Sequence, residues 1–121
     1  MGSISTENSE ISFQSKTEAL DIIRELIKKE KEIWVSGDEK NPCMAICING
    51  EHAAITYFQD EDGDMWLSYN ENNMESVTFT AGGEEWIPDP NAVIGVDDVI
   101  LCVDEFLDSY QRPGCIKWQE L

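Results

Sequence analysis

The chain has 121 residues, the size of one ordinary domain, and 41% of them are hydrophobic, which is enough for a single modest core. Its 25 acidic residues against 8 basic ones give a formal net charge of −17, which argues against direct binding to nucleic-acid phosphates. The acidity fits either a basic partner or simply a soluble surface. No apolar stretch reaches the roughly 20 residues of a membrane span, so we predict no membrane association.

The amino end is polar and lacks the basic start and apolar centre of a signal peptide. We therefore predict a flexible segment over residues 1–12, a single domain over 13–121, and a cytoplasmic location. The four cysteines are then expected to be reduced. Cys43 and Cys47 would lie about 13 Å apart on one strand, beyond disulfide reach. Since His52 is the one histidine, we interpret the cysteines as core thiols rather than metal ligands.

Two amphipathic helices are predicted, one near each end of the chain. Ser15 and Glu18 have the spacing of a capping box, and apolar residues then recur at intervals of three and four, which predicts a helix over about 16–31. A second stripe with the same period predicts a helix over about 96–110. Each helix therefore has one face for the core.

Between the helices the apolar period changes to two, which indicates strands. Residues 43–48 are apolar on both faces, and Asn49-Gly50 predicts a tight turn into a strand at 53–58, so we expect this hairpin at the centre of the sheet. The other predicted strands lie at 33–35, 65–69 and 77–80, with an edge strand at 92–94 and a short terminal strand. The fold class is α+β, with two helices on one antiparallel sheet of about five to six strands.

Motifs that would indicate catalysis or a bound ion are missing. The acidic loop 60–64 has the composition of a calcium loop, but if Gly63 takes the invariant glycine position, Tyr69 falls where the bidentate glutamate belongs. His52 follows a turn, where a surface histidine is expected, and no Gly-x-Ser-x-Gly elbow, P-loop or Rossmann glycine pattern accompanies it. We predict no enzymatic activity, no catalytic residue, no cofactor and no metal site.

The four tryptophans are interpreted separately. Trp34 and Trp118 lie in apolar strand patterns and are predicted to be core residues. Trp66 follows the acidic loop, and its face is left open. Trp86 lies beside two glutamates in an irregular segment, where core packing and a role as a binding anchor both fit.

The last sixteen residues carry a family resemblance. They resemble the closing pattern of a family of bacterial immunity proteins in Phe106-Leu107, Gln111-Arg112-Pro113, Ile116, Trp118 and Glu120-Leu121. Members neutralise deaminase toxins of polymorphic and contact-dependent toxin systems, including double-stranded-DNA cytosine deaminases. The order of elements over about 13–121 is similar, although the loop 60–64 is unusually acidic and 70–95 matches only in general order. In this interpretation Pro113 ends the last helix and Trp118 docks the last strand.

The resemblance implies a binding protein that covers the substrate-binding or active-site face of a cognate toxin, one to one. A nucleic-acid deaminase needs a basic substrate surface, for which an acidic protein can compete. Our hypothesis is that the toxin contacts Asp60, Glu61, Asp62, Asp64, Glu84, Glu85 and Trp86; the alternative is that the acids are merely solvated. Two other functions stay open: a nucleic-acid-mimicking inhibitor of another basic protein, and an adaptor or chaperone for a secreted effector.

Overall fold

The computed structural model describes residues 2–121, in which one large antiparallel sheet carries two α-helices on one of its faces. Eight strands form the large sheet and two short strands form a separate hairpin. This confirms a single α+β domain with two helices and an antiparallel sheet. The predicted number of strands, five to six, was too low.

The elements follow one another in a simple order. They are β1 (Gly2–Ser5), β2 (Glu10–Phe13), α1 (Lys16–Leu26), β3 (Glu32–Ser36), β4 (Cys43–Asn49), β5 (His52–Phe58), β6 (Met65–Tyr69), β7 (Phe79–Ala81), β8 (Glu84–Trp86), a 3-10 turn (Pro90–Ala92), β9 (Ile94–Gly95), α2 (Val96–Ser109) and β10 (Lys117–Glu120). The large sheet has the order β10-β6-β5-β4-β3-β1-β2, and β9 pairs with the start of β5. The β4–β5 hairpin is therefore central, as predicted.

Two of the additional strands lie before α1, in the segment 1–12 that was predicted to be flexible. β1 pairs with both β2 and β3, and Ile4 of β1 is fully buried. These strands have four residues each, and β3, the second pairing partner of β1, comes later in the chain, so the local pattern gave little sign of them. The mobility of this segment stays a prediction, and Met1 lies outside the described residues.

Helix α1 begins as the sequence predicted and ends earlier. The Ser15 hydroxyl accepts a hydrogen bond of 3.2 Å from the Glu18 amide, and the Glu18 carboxylate accepts one of 2.9 Å from the Gln14 amide. The helix ends at Leu26 rather than near residue 31. The next residues form turns, and the Lys31 carbonyl accepts a sheet-type bond from the Ile48 amide at 2.9 Å. Pairing with the sheet therefore ends the helical run.

Helix α2 matches the predicted range to within one residue, but Pro113 does not end it. The helix stops at Ser109, and Tyr110 takes a left-handed conformation with φ of 54° while its amide donates to the Phe106 carbonyl. The chain has thus already left the helix when it reaches Pro113. Neither α-helix within residues 2–121 has the length and apolar content to cross a bilayer.

Side chains of the sheet alternate between two faces, which we call the helix face and the open face. The helix face carries the main core under α1 and α2, including Ile33, Val35, Met44, Ile46, Ile55 and Tyr57. The open face is partly covered by the β7–β8 hairpin, whose Phe79 packs with Cys47 and Ala54. The strand predicted at 77–80 begins at Phe79 as β7 and pairs with β8 in a separate hairpin, whose Gly82-Gly83 turn has positive φ at both residues.

Candidate functional site

The seven residues of the predicted site lie in two groups at the margins of the open face. Loop 60–64 follows Phe58 at the end of β5, whereas Glu84, Glu85 and Trp86 form β8. The β7–β8 hairpin packs on Ala54, nearer the start of β5. Thr56 and Phe58 face the same side of the sheet as Ala54, so they lie between the two groups.

The acidic loop is closed by its own backbone and presents its carboxylates to solvent. The Gln59 amide donates to the Asp64 carbonyl at 2.9 Å, and the Asp62 amide donates to the Asp60 carboxylate at 3.0 Å. Gly63 allows the turn with φ of 102°. Glu61, Asp62 and Asp64 are exposed and Asp60 is half-buried, so the loop forms a cluster of negative charge at the tip of the β5–β6 connection.

Strand β8 combines exposed acids with a tryptophan that is partly packed. Glu84 and Glu85 are exposed, while Trp86 is half-buried with its ring centroid 6.1 Å from that of Phe79. Trp86 therefore packs on the small cluster under the hairpin and keeps some of its surface free, and its role as a binding anchor stays a prediction. Ile87 beside it is 55% exposed.

The glutamate at the start of β3 holds the hairpin in place. The Gly82 amide lies 3.2 and 3.3 Å from the two carboxylate oxygens of Glu32. On the other side of the hairpin, the Asn49 side-chain amide donates to the Thr78 carbonyl at 2.8 Å. Contacts to two central strands therefore fix the position of β8 and its acids.

Trp34 was predicted to be a core residue, but it lies on the open face. It is 38% exposed, and its ring stacks on Phe58 with centroids 5.5 Å apart and planes 14° from parallel. The alternation of side chains along β3 could have predicted this, because Ile33 and Val35 are fully buried on the helix face and Trp34 must then point the other way. Phe58, on which it stacks, lies on β5, two strands away in the sheet, so no local sequence pattern predicts this contact.

Three of the four cysteines are buried thiols. None of the four forms a disulfide in this structure; Cys43, Cys47 and Cys102 are buried, as predicted for core thiols, but Cys115 is exposed. Burial raises the pKa of Cys47 to about 12 and also raises the pKa of Cys102, so both remain neutral thiols near neutral pH. Among residues 2–121, no three His, Cys, Asp or Glu side chains are grouped to hold a metal ion.

Part of the C-terminal pattern is structural and lies on the helix face. The ring of Trp118 is 6.2 Å from that of Tyr57, which docks β10 on the core as predicted. Trp66 packs against the same core, with its ring 6.0 Å from that of Tyr57, so it lies on the helix face, and the Arg112 guanidinium carbon lies 4.7 Å from its ring centre. The buried members of the pattern, such as Phe106 and Pro113, are therefore structural, whereas Gln111, Arg112, Glu120 and Leu121 are exposed.

A family model described as Immunity protein Imm1 matches residues 10–120. The chain belongs to the Imm1 family. The match runs from β2 to β10 and so includes both helices and the segment 70–95, where the sequence resemblance was only general. Membership of Imm1 confirms the immunity-protein part of the resemblance. No curated protein matches the chain significantly.

Proposed function

We propose that this Imm1 protein binds a cognate toxin and neutralises it, and that the toxin is a deaminase acting on nucleic acid. Family membership supports the first part. The resemblance of the C-terminal pattern to immunity proteins for deaminases supports the second. The protein acts in the cytoplasm, by binding alone and as a one-to-one complex.

The mechanism we propose is competition for the toxin's substrate surface. The observation that carries it is the position of exposed carboxylates, in loop 60–64 and in β8, at the margins of a sheet face that no helix covers. The ion pairs among residues 2–121 use other acids, such as Asp104 and Asp108 with Lys16, so these carboxylates are open to a basic partner. A surface that binds phosphates is basic, and charge complementarity accelerates association and selects the partner.

The test is co-expression with the toxin domain encoded by the neighbouring reading frame. We expect that this protein restores growth, co-purifies with the toxin domain, and abolishes deamination of double-stranded DNA, single-stranded DNA or RNA by that domain in vitro. Failure to restore growth would overturn the proposal. Co-purification with undiminished deamination would instead indicate an adaptor or chaperone. If this protein inhibits the toxin domain but that domain has no deaminase activity, the proposal of neutralisation stands and the proposed class of toxin is wrong.

A further inference from the structure

We propose that the stacked pair Trp34 and Phe58 is the anchor of the toxin interface, and that Trp34 receives an arginine side chain of the toxin. This inference rests on the proposed function, since it names the part of the open face that makes the central contact. The acids of loop 60–64 and β8 then form the rim around it, where charge steers association.

Trp34 is exposed on the open face. Trp34 is the one aromatic residue among the exposed large hydrophobic residues of the described chain, and it lies in the interior of the sheet, between β1 and β4. Its sequence neighbours Ile33 and Val35 are fully buried. Tryptophan is enriched among the residues that dominate binding energy at protein interfaces. An exposed tryptophan at this place is therefore a candidate anchor.

Trp34 is held rigidly by the sheet and by Phe58. The backbone of Trp34 is paired on both sides, with Ser5 of β1 and with Ala45 of β4. Its ring is held by the stack on Phe58, across the small side chain of Ala45. A side chain that is already fixed loses little conformational entropy when a partner covers it. The pair is thus preorganised for binding.

The groove beside Trp34 has the chemistry to bind an arginine side chain. It has a volume of about 460 Å³ and runs between β1, the start of β2 and the 37–43 segment. Its wall includes the exposed carboxylates of Glu10 and Glu39 and the hydroxyl-bearing residues Ser3 and Ser36, with Lys40 as its one base. A guanidinium group stacks on a tryptophan face and donates to carboxylates, so arginine fits this combination. A second copy of this chain fits poorly, because each copy carries a net charge of −17.

The test uses the neighbouring toxin domain as the probe and measures Kd by titration calorimetry at low and at high salt. We expect Trp34→Ala to raise Kd by at least about 30-fold at both salt concentrations, because the contact is packed and little screened. The matched control is Leu101→Ala, which removes a side chain that is 54% exposed on α2, and it should leave Kd within about twofold. Kd for Trp34→Ala within about threefold of the wild-type value would overturn the inference.

A second variant keeps the test decisive if Trp34→Ala is unfolded by circular dichroism. The double substitution Glu10→Gln and Glu39→Gln changes exposed side chains only, and we expect it to raise Kd about tenfold at low salt. An unchanged Kd would then overturn the inference. Sedimentation of the protein alone is measured as well, and a dimer that Thr56→Arg on the open face abolishes would assign this face to a second copy instead. If wild-type protein neither binds nor inhibits the toxin domain, the proposed function itself fails.

Discussion

The indole nitrogen of Trp118 donates a hydrogen bond of 2.6 Å to the carbonyl oxygen of Pro113. The ring of Trp118 also packs against Tyr57 in the core, so Trp118 ties the connection between α2 and β10 to the core. Both residues belong to the C-terminal pattern. Their relationship gives these two residues of the pattern a structural role.

We predict that Trp118→Phe lowers the free energy of unfolding by about 1 kcal/mol, because an aromatic ring remains but the bond to Pro113 is lost. Trp118→Ala also removes the contact with Tyr57, and we expect a loss of about 2 to 3 kcal/mol for this half-buried ring. Urea denaturation measures both. Trp34→Phe on the open face is the control and should change the free energy by less than about 0.5 kcal/mol. An effect of Trp118→Phe no larger than that of the control would contradict this role.

We predict that Ser68→Ala is strongly destabilising. The Ser68 hydroxyl accepts a bond of 3.0 Å from the Ile55 amide and donates one of 2.7 Å to the Ala92 carbonyl, in a fully buried position. Removal of the hydroxyl leaves two buried backbone groups without a partner, which costs about 2 to 4 kcal/mol. Thermal and urea unfolding measure this. Ser12→Ala, at an exposed position on β2, should be close to neutral, and equal stability of the two variants would refute the prediction.

The parts of the fold that the sequence predicted are those with a local signal. Both helices follow from their apolar period, and the central hairpin follows from Asn49-Gly50 between two apolar runs. The β1–β2 pair is different, because it joins the sheet only through the pairing of β1 with β3, which lies beyond α1 in the chain. The β7–β8 hairpin has only three residues in each strand, too few to show a period.

The candidate site was predictable in its charge but not in its arrangement. Composition alone points to loop 60–64 and to Glu84 and Glu85 as acids near turns. The neighbourhood of Trp34 and Phe58 depends on the register of β3 with β4 and of β4 with β5. Register is a property of the whole sheet, and no single segment specifies it.

We predict that Lys16 links the two helices through its charge. Its ammonium nitrogen lies 2.8 Å from the carboxylates of both Asp104 and Asp108, and these partners raise its pKa from 10.5 to about 12. A raised pKa in the folded state means that this stabilisation is complete below pH 10.5 and is lost as pH rises towards 12. Lys16→Met should therefore lower Tm at neutral pH and low salt, and less so at high salt.

The control for this prediction is Lys28→Met. Lys28, in the turn after α1, has a single, longer contact of 3.7 Å with Glu25 of α1, so its removal should change Tm less. Equal changes in Tm for the two variants, or a change for Lys16→Met that salt leaves untouched, would show that the ion pairs do not stabilise the packing of α1 on α2.

We predict that Cys102 and Cys115 form a disulfide in an oxidant. Their sulfur atoms are 3.3 Å apart, one in α2 and one in the loop before β10. Diamide would accept two electrons and two protons from the thiols as the bond forms, which mass spectrometry detects as a loss of two hydrogens. The bond closes a short loop and should stabilise the fold by about 3 kcal/mol or less. Cys115→Ser is the control. A disulfide between Cys43 and Cys47, instead of one between Cys102 and Cys115, would contradict the strand geometry.

We predict that reversing the charges of Asp60, Glu61, Asp62 and Asp64 to lysine weakens toxin binding and flattens its dependence on salt. These acids act on the association rate through long-range attraction, so their effect should be largest at low salt. Stopped-flow or biosensor kinetics with the neighbouring toxin domain measure the rate and the salt slope.

The decisive control for the loop keeps the net charge equal. The pair Glu61→Lys and Asp62→Lys is compared with the pair Asp21→Lys and Glu25→Lys, which lies on α1 and makes the same change in net charge. If binding depends on the position of the loop, only the first pair slows association strongly. If both pairs slow it equally, the toxin senses the overall charge of −17, and loop 60–64 is solvated surface and not interface.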